Sequence, residues 1–247
     1  MGYHAAFGRT ELMLGTAALD ALAHARVAVF GLGGVGGWCA ESLVRSGVGK
    51  LLLVDSDSIA ESNVNRQVMA TTATVGQPKA NVLARRFREI NPLAKLDVRM
   101  RRYTKDTAGE FSLEDCDYVI DAIDSVDCKA ELIRHALSIP SVTLFASMGA
   151  ALKMDPFQVR ATEFRKVEGD GLARALRTRF KKTGGMPNRK FVCVWSPERR
   201  DNIGPACEDG ETGKRVNGTV VHTTAIFGFA LAGLVVRDVE RKVRESP

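Results

Sequence analysis

Residues able to bind a nucleotide lie close together in the first half of the sequence. The glycine-rich run at residues 31–36 (GLGGVG) follows an apolar segment and precedes a helical pattern. Glycines suit this position because the turn is tight and backbone N–H groups at the helix start must approach phosphate oxygens. Asp55 ends the next apolar segment, where a carboxylate accepts hydrogen bonds from ribose hydroxyls. The predicted nucleotide contacts in the loop are Gly31, Gly33, Gly34 and Gly36.

Charged residues beyond this loop indicate which nucleotide chemistry is favoured. Arg66 and Lys79 would neutralise charge at a transferring phosphate, and Asp124 would hold Mg²⁺ through oxygen. Each residue alone is more commonly a surface ion pair. A nicotinamide dehydrogenase would share the glycine loop and the acidic residue, but hydride transfer needs none of these three side chains. Together they favour a triphosphate.

Alternating strands and helices are expected to position these residues. Such alternation is typical of an α/β protein with a Rossmann-like, doubly wound, mostly parallel sheet that binds ligands at the carboxyl ends of its strands. The apolar patterns predict strands at 27–30, 50–54, 95–101, 118–120 and 142–146, and helices at 9–22, 36–46, 78–90 and 129–137.

The character of the sequence changes after about residue 148. Glycine and proline punctuate short apolar segments, which predicts a β-rich carboxyl-terminal part with strands at 157–162 and 190–195 and one helix at 172–180. We expect this part to pack on the first half. The predicted organisation is a single domain, 1–247, with a nucleotide-binding half, 1–150, and a substrate-facing half, 151–247, that ends in a helix.

An apolar run at 218–236 approaches the length of a membrane span. Its first half is β-branched, as in a strand, whereas its second half leads into a cationic stretch, as in a terminal helix. It also contains a histidine, three threonines and three glycines. A buried core helix is therefore favoured over membrane insertion.

The net charge of +6 is concentrated in one segment. Residues 160–190 hold ten basic and three acidic residues, whereas 1–159 hold 17 and 18, and 191–247 hold eight of each. A concentrated positive field attracts polyanions, although a solvated basic face is a common alternative.

The five cysteines are odd in number and form no Cys-x-x-Cys pair. Residues 1–15 contain charged residues that interrupt any apolar signal sequence, so the sequence predicts a reducing, cytoplasmic setting with free thiols. A four-cysteine zinc site is excluded. Cys207 lies in a polar segment and is predicted to be exposed, whereas the other four cysteines lie in apolar patterns. At 247 residues with 45% hydrophobic residues, a disulfide scaffold and a disordered chain are excluded as well.

Taken together, residues 7–149 resemble the ubiquitin-activating-enzyme-like adenylating superfamily, whose members activate a carboxylate as an acyl-adenylate. The resemblance rests on the glycine loop, Asp55, the Asn63-x-x-Arg66-Gln67 run, Lys79 and the Asp121-x-x-Asp124 pair, together with an amino-terminal arginine, Arg9.

The resemblance implies a role for each of these residues. Asp55 would hold the ribose, Asn63 and Arg66 would meet the phosphates, and Lys79 would stabilise the departing pyrophosphate. Asp124 would bind Mg²⁺, and Arg9 would reach a triphosphate in the second subunit of a homodimer. Residues that complete the predicted nucleotide set are Asp57, Gln67 and Asp121.

The second half resembles the bacterial tRNA threonylcarbamoyladenosine dehydratases within this superfamily. The matching features are Asp155-Pro156-x-Gln158-Val159, Trp195-Ser-Pro-Glu198 and the glycine-containing run at 218–228. In that reaction ATP activates the threonyl carboxylate, and a group of the same side chain closes a ring. Because closure is intramolecular, no enzyme cysteine is required.

On this resemblance the implied cofactors are ATP, Mg²⁺ and a monovalent cation, Na⁺ or K⁺. The implied partners are tRNA, a second copy of the chain and a cysteine-desulfurase sulfur-acceptor system. Cys207 is the nearest candidate thiol for that system, but its local sequence does not match and an idle thiol is the favoured interpretation. The basic segment would supply tRNA contacts from Arg174, Arg177, Arg179, Lys181 and Lys182.

Three alternatives stay open at this point. An adenylyltransferase for a ubiquitin-like sulfur carrier is disfavoured by the missing zinc cysteines and by the basic segment. A non-catalytic nucleotide-binding scaffold is disfavoured because Arg66, Lys79 and Asp124 are all present. A nicotinamide oxidoreductase ranks last.

Overall fold

A single seven-stranded sheet organises the part of the chain that the computed structural model describes, which is residues 3–208, 213 and 215–245. The strand order is β3-β2-β1-β4-β5-β7-β6, and every neighbouring pair is parallel except the antiparallel pair β6 and β7. The strands are β1 (Arg26–Phe30), β2 (Lys50–Val54), β3 (Lys95–Arg99), β4 (Tyr118–Asp121), β5 (Thr143–Ser147), β6 (Arg160–Glu163) and β7 (Val192–Trp195). The predicted Rossmann-like, mostly parallel sheet is confirmed.

Helices cover both faces of the sheet because alternate strand residues point to opposite sides. Val27 and Val29 of β1 join one apolar cluster, and Ala28 and Phe30 join the other. The first cluster includes α3, α4 and α7, and the second includes α5 and α6. The helices are α1 (Tyr3–Leu14), α2 (Thr16–His24), α3 (Gly36–Arg45), α4 (Lys79–Ile90), α5 (Val126–Ser138), α6 (Gly171–Lys182) and α7 (Val221–Glu245).

The amino-terminal helix differs from its prediction. A single helix was expected at 9–22, but Gly15 takes a φ of 85° and separates α1 from α2. A positive φ is open to glycine and strained for other residues, so the helix breaks there. The N–H of Gly15 still donates to Glu11 O at 2.7 Å. The apolar periodicity runs through the break, which is why the pattern alone did not locate it.

The carboxyl-terminal part is less β-rich than its glycine and proline pattern indicates. Its two strands, β6 and β7, extend the main sheet, and the predicted strand at 157–162 starts only at Arg160. Residues 156–158 instead form a short 3-10 turn, which Asp155 caps by accepting a hydrogen bond from the N–H of Phe157 at 2.9 Å. Asp-Pro favours such a turn over a strand. Residues 1–150 and 151–247 thus contribute strands to one sheet.

The apolar run at 218–236 is helical from Val221 onward, so the strand expected in its first half is wrong. Helix α7 packs along α3, where a side chain at Gly228 would meet Val35 O at 2.5 Å and Cys39 N at 2.8 Å. Because this close contact buries the segment against α3, tertiary packing outweighs the strand propensity of its β-branched residues. Among the described helices, α7 is the one long and apolar enough to cross a membrane. However, 44% of its most apolar 18-residue stretch is buried within the protein. The burial agrees with the predicted core helix.

Candidate nucleotide site

The glycine loop between β1 and α3 is closely packed at Gly31 and Gly36. Gly31 has a φ of 82°, and a Cβ there would lie 2.8 Å from Ala122 O, whereas a Cβ at Gly36 would collide with the carbonyl oxygen of Gly31. Only glycine fits both positions. No side chain caps the start of α3. The first turn of α3 therefore offers backbone N–H groups and a positive dipole end to an anion.

Asp55 binds the rim of this loop. One oxygen, Oδ2, accepts a hydrogen bond from the N–H of Leu32 at 2.6 Å, and Oδ1 accepts one from the N–H of Asp57 at 2.8 Å. Burial raises the pKa of Asp55 above its ordinary value, and the positive charge of Lys79 opposes this rise. The carboxylate is fixed at the carboxyl end of β2, where its remaining lone pairs can accept from ribose hydroxyls.

Lys79 is the first residue of α4 and reaches toward the same edge of the sheet. Its Nζ lies 2.8 Å from Asp57 Oδ2. Its backbone N–H donates to Asp57 O at 3.0 Å, so the start of α4 is tied to the segment after β2. The structure thus brings Lys79, Asp57 and Asp55 together, and their contact with a nucleotide stays a prediction.

The turn at residues 61–67 forms another side of the loop. Asn63 is buried, and its Oδ1 accepts from the N–H of Ala60 at 3.1 Å. The guanidinium of Arg66 donates to Ser62 O at 2.7 Å and to Asn65 Oδ1 at 2.9 Å, and burial lowers the pKa of Arg66. These hydrogen bonds satisfy polar groups within the turn, and the Arg66 side chain lies beside the glycine loop.

Two side chains of this turn face the glycines directly. The Cγ of Arg66 lies 3.3 Å from where a Cβ of Gly34 would be, and Nε2 of Gln67 lies 3.7 Å from the equivalent point at Gly33. Gln67 is 7% exposed, and its Oε1 is buried without a hydrogen-bond partner. A buried acceptor without a partner is costly, which fits a position that a ligand donor completes.

The two aspartates after β4 have different surroundings. Asp121 is fully buried in an ion pair with Lys129 of α5, with 3.0 Å between Oδ1 and Nζ. Burial raises the pKa of Asp121, and the positive charge of Lys129 opposes this rise. The other carboxylate oxygen, Oδ2, is buried without a hydrogen-bond partner. The side chain holds the end of β4 through Lys129, and the nucleotide contact predicted for Asp121 stays a prediction.

Asp124 is exposed, three residues beyond Asp121. It lies in the segment that joins β4 to α5, at the carboxyl end of the sheet. A single exposed carboxylate fits Mg²⁺, which commonly takes one or two protein carboxylates and completes its coordination with phosphate oxygens and water. The donor chemistry therefore suits the predicted metal.

Arg9 is exposed on α1, which packs against α2. Among the described residues, no hydrogen bond or ion pair joins its side chain to the glycine loop, the 61–67 turn or Asp55. The predicted action of Arg9 on a second subunit's nucleotide is compatible with this placement and stays a prediction.

The first turns of α7 also reach the glycine loop, which the sequence pattern does not predict. Thr224 is buried, and its Oγ1 lies 3.3 Å from the point where a Cβ of Gly34 would be. Asn65 Nδ2 donates to Thr219 O at 3.1 Å, and Trp38 Nε1 donates to Arg66 O at 3.0 Å. The β-branched pattern at 218–225 is typical of a strand, so nothing in the sequence indicates that these residues lie at the glycine loop.

The basic segment divides into two groups. Arg177 donates to Phe164 O at 2.9 Å and to Val167 O at 2.6 Å, and it stacks on the Phe164 ring, so it serves the fold. Arg179 pairs with Asp127 at 2.9 Å. Both side chains are half-buried and already engaged within the protein, and their contact with RNA stays a prediction. The candidates that are exposed are Arg174, Lys181 and Lys182.

Comparison with known proteins gives consistent matches over most of the chain. The family model of the ThiF family matches residues 8–239. The tRNA threonylcarbamoyladenosine dehydratase of Bacillus subtilis is 42% identical over 178 residues, which cover 72% of this chain and 70% of that protein. The dehydratase of the same description from Escherichia coli is 37% identical over 254 residues, covering 96% of this chain and 94% of that protein.

The likeness extends to a solved structure. A crystal structure of the Escherichia coli tRNA N6-threonylcarbamoyladenosine dehydratase in complex with ATP matches with a TM-score of 0.88 at 34% identity. The match covers 98% of this chain and 97% of that one.

Proposed function

Because this chain belongs to the ThiF family, we propose that it is an ATP-dependent tRNA threonylcarbamoyladenosine dehydratase. The observation that carries the proposal is the end-to-end similarity to the Escherichia coli dehydratase, which covers both halves of the chain. The glycine loop, Asp55, Arg66 and Lys79 meet at one edge of the sheet and form a site suited to ATP. A sulfur-carrier adenylyltransferase is the alternative, which the absence of Cys-x-x-Cys pairs from the sequence disfavours.

In the first step the threonyl carboxylate of the modified adenosine attacks the α-phosphorus of ATP, and pyrophosphate leaves. The N–H groups at the start of α3 bind phosphate oxygens, and Asp55 accepts from the ribose. Arg66 and Lys79 stabilise the negative charge that develops on the departing pyrophosphate. Asp124 would hold Mg²⁺, which supplies charge neutralisation at the phosphates when bound.

In the second step a nucleophilic atom of the same threonylcarbamoyl group attacks the activated carbonyl carbon. AMP leaves with the former carboxylate oxygen, and one proton is released, so the nucleoside loses the elements of water. Ring closure is intramolecular and gains from proximity, so no enzyme nucleophile is needed. The burial of Cys39, Cys116, Cys128 and Cys193 suits this mechanism.

The wider organisation of the enzyme follows from the same proposal. Residues 1–247 would act as one adenylating domain, with tRNA held by the half that carries Arg174, Lys181 and Lys182. A homodimer would place Arg9 near the partner's triphosphate. Cys207 is exposed and is the thiol that a cysteine-desulfurase system would reach. The monovalent cation stays a prediction without assigned ligands.

The test is to incubate the protein with ATP, Mg²⁺ and tRNA that carries threonylcarbamoyladenosine. We expect mass spectrometry of the nucleosides to show loss of one water, with release of pyrophosphate, and we expect Asp124→Asn to lack this activity. An unchanged nucleoside, together with pyrophosphate exchange stimulated by a protein with a Gly-Gly tail, would favour the sulfur-carrier alternative.

A further inference from the structure

Lys129 makes a group of contacts that the proposed reaction does not yet use. Its Nζ lies 3.0 Å from Asp121 Oδ1 and donates to two backbone carbonyls, Asp121 O at 3.2 Å and Ile123 O at 3.0 Å. The N–H of Ile123 donates back to Asp121 Oδ1 at 3.1 Å. Both charged side chains are 0% exposed. The ammonium thus closes a compact turn over residues 121–123.

This turn adjoins two parts of the nucleotide site. On one side, Ala122 O is the atom that a Cβ at Gly31 would meet at 2.8 Å, so the turn is the back wall of the glycine loop. The N–H of Ala122 donates to Phe30 O at 2.9 Å, which holds that wall in register with β1. On the other side, Asp124 follows the turn directly.

A buried ion pair is a poor way to gain stability, since removing two charges from water costs about as much as their attraction returns. Apolar side chains of the same volume would commonly serve the fold equally well. What they would not supply is three donor hydrogens that converge on one carboxylate and two carbonyls. The arrangement is suited to fixing backbone geometry.

We propose that Lys129 is a positioning residue that, through Asp121 and the carbonyls of residues 121 and 123, sets the place of Asp124 and of the wall behind Gly31. It touches neither nucleotide nor metal. The inference rests on the proposed function, in that Asp124 is taken as the carboxylate that holds Mg²⁺. It follows that loss of the ammonium raises the Mg²⁺ concentration needed for ATP binding more than it weakens binding of a nucleotide without Mg²⁺.

The test compares binding of ATP and of AMP without tRNA, by calorimetry over a range of Mg²⁺ concentrations. The variant is Lys129→Met combined with Asp121→Asn, which leaves no unpaired buried charge. We expect the Mg²⁺ concentration needed for half-maximal ATP binding to rise about tenfold or more, since one misplaced ligand costs on the order of 10-fold to 100-fold in metal affinity. Binding of AMP without Mg²⁺ should stay within about threefold.

The matched control is Lys153→Met, which removes a buried lysine that lies outside the nucleotide site. Lys153 is 8% exposed and donates to the carbonyls of Ser196 and Glu198, in the carboxyl-terminal part. It should lower the melting temperature without changing the Mg²⁺ requirement. An unchanged Mg²⁺ requirement in the folded double variant would overturn the proposal.

Lys129→Arg provides a second test should the double variant fail to fold. It keeps the positive charge beside Asp121 but replaces the compact ammonium by a planar fork, so a rise of about threefold or more in the Mg²⁺ requirement is expected. A wild-type requirement in this variant would also overturn the proposal. If wild-type protein bound ATP with Mg²⁺ yet left the tRNA nucleoside unchanged, the proposed function would fail while the positioning role would stand.

Discussion

Lys79 Nζ lies 2.8 Å from Asp57 Oδ2, although the lysine side chain is only 8% exposed and the aspartate side chain is 64% exposed. The ammonium therefore extends from a buried stem to the open edge of the site. The positive charge is therefore already directed outward before a phosphate binds, and until then it is paired with Asp57.

Replacement of Lys79 by alanine should slow formation of the adenylate about 10²-fold to 10³-fold, because a preorganised charge at the transition state is removed. Pyrophosphate exchange measures this step. Lys105→Ala, which removes an exposed lysine elsewhere, is the control and should leave the rate unchanged. If Lys79→Ala kept a pyrophosphate-exchange rate within threefold of wild type, Lys79 would have no role in adenylate formation.

Replacement of Arg174, Lys181 and Lys182 by glutamine should weaken tRNA binding and lower the slope of log affinity against log salt by about two, since each phosphate contact contributes roughly 0.7–0.9. Affinity for ATP should not change. The control replaces three exposed cations outside the basic segment, Arg88, Lys95 and Lys105. Equal losses in the two triple variants would show that the segment is an ordinary solvated face.

Arg177→Gln should behave differently from those three. Its guanidinium binds the carbonyls of Phe164 and Val167, so its loss leaves buried acceptors unsatisfied. We expect a destabilisation of about 1–3 kcal/mol in urea unfolding. The slope of tRNA affinity against salt should stay near the wild-type value, and a drop as large as that of the triple variant would place Arg177 on the RNA surface.

Glu41 joins α3 to α4 and gives a pH-dependent contribution to stability. It receives two hydrogen bonds from Arg86, at 2.6 and 2.9 Å, and one from Arg45 at 2.9 Å. Burial opposes ionisation, but these hydrogen bonds outweigh it and hold the pKa of Glu41 below its ordinary value of 4.5. The contribution is therefore present above pH 4.5 and is lost as pH falls through the lowered pKa.

Glu41→Gln should accordingly destabilise the fold by about 1–2 kcal/mol at pH 7, because charge-assisted hydrogen bonds are lost while both arginine partners remain half-exposed to water. The difference from wild type should shrink below pH 4. Arg45→Gln, which removes the more exposed partner, should cost only about 0.5 kcal/mol. Urea unfolding at pH 7 and pH 3 checks both, and a difference for Glu41→Gln that does not shrink at pH 3 would refute the assignment.

All five cysteines lie in the described part, and Cys207 is the exposed one. Burial raises the pKa of the Cys116 thiol to about 11 and that of Cys193 to about 12. A thiol reagent should therefore label one group rapidly in native protein and four more only on unfolding. Cys207→Ser should abolish the rapid phase, and a rapid phase that persists would mean that a core thiol opens.

Much of the nucleotide site could be predicted from the sequence because its residues follow strands directly. Asp55 and the glycine loop occupy fixed positions relative to β1 and β2, so strand periodicity locates them. Asp121 was harder, since a carboxylate at a strand end looks the same whether it faces a ligand or a buried lysine. Only the packing of α5, which brings Lys129 under the sheet, decides between the two.

Residues that reach the site from far along the chain could not be predicted. Thr224 meets Gly34 because α7 lies along α3, and that packing depends on Gly228 rather than on any local pattern. The contacts of Arg177 could not be predicted for a similar reason, since its spacing on α6 suits an exposed face while tertiary structure brings its guanidinium to the carbonyls of residues 164 and 167.

The contact between Gly228 and α3 also bears on the order in which the protein is made. Residues 31–36 leave the ribosome long before residues 221–228, so the early loop lacks Thr224 and the close support of α7 while the chain is still growing. ATP should therefore bind weakly to nascent chains that stop before α7. A contact between distant parts of the sequence thus makes competence for nucleotide depend on synthesis of α7.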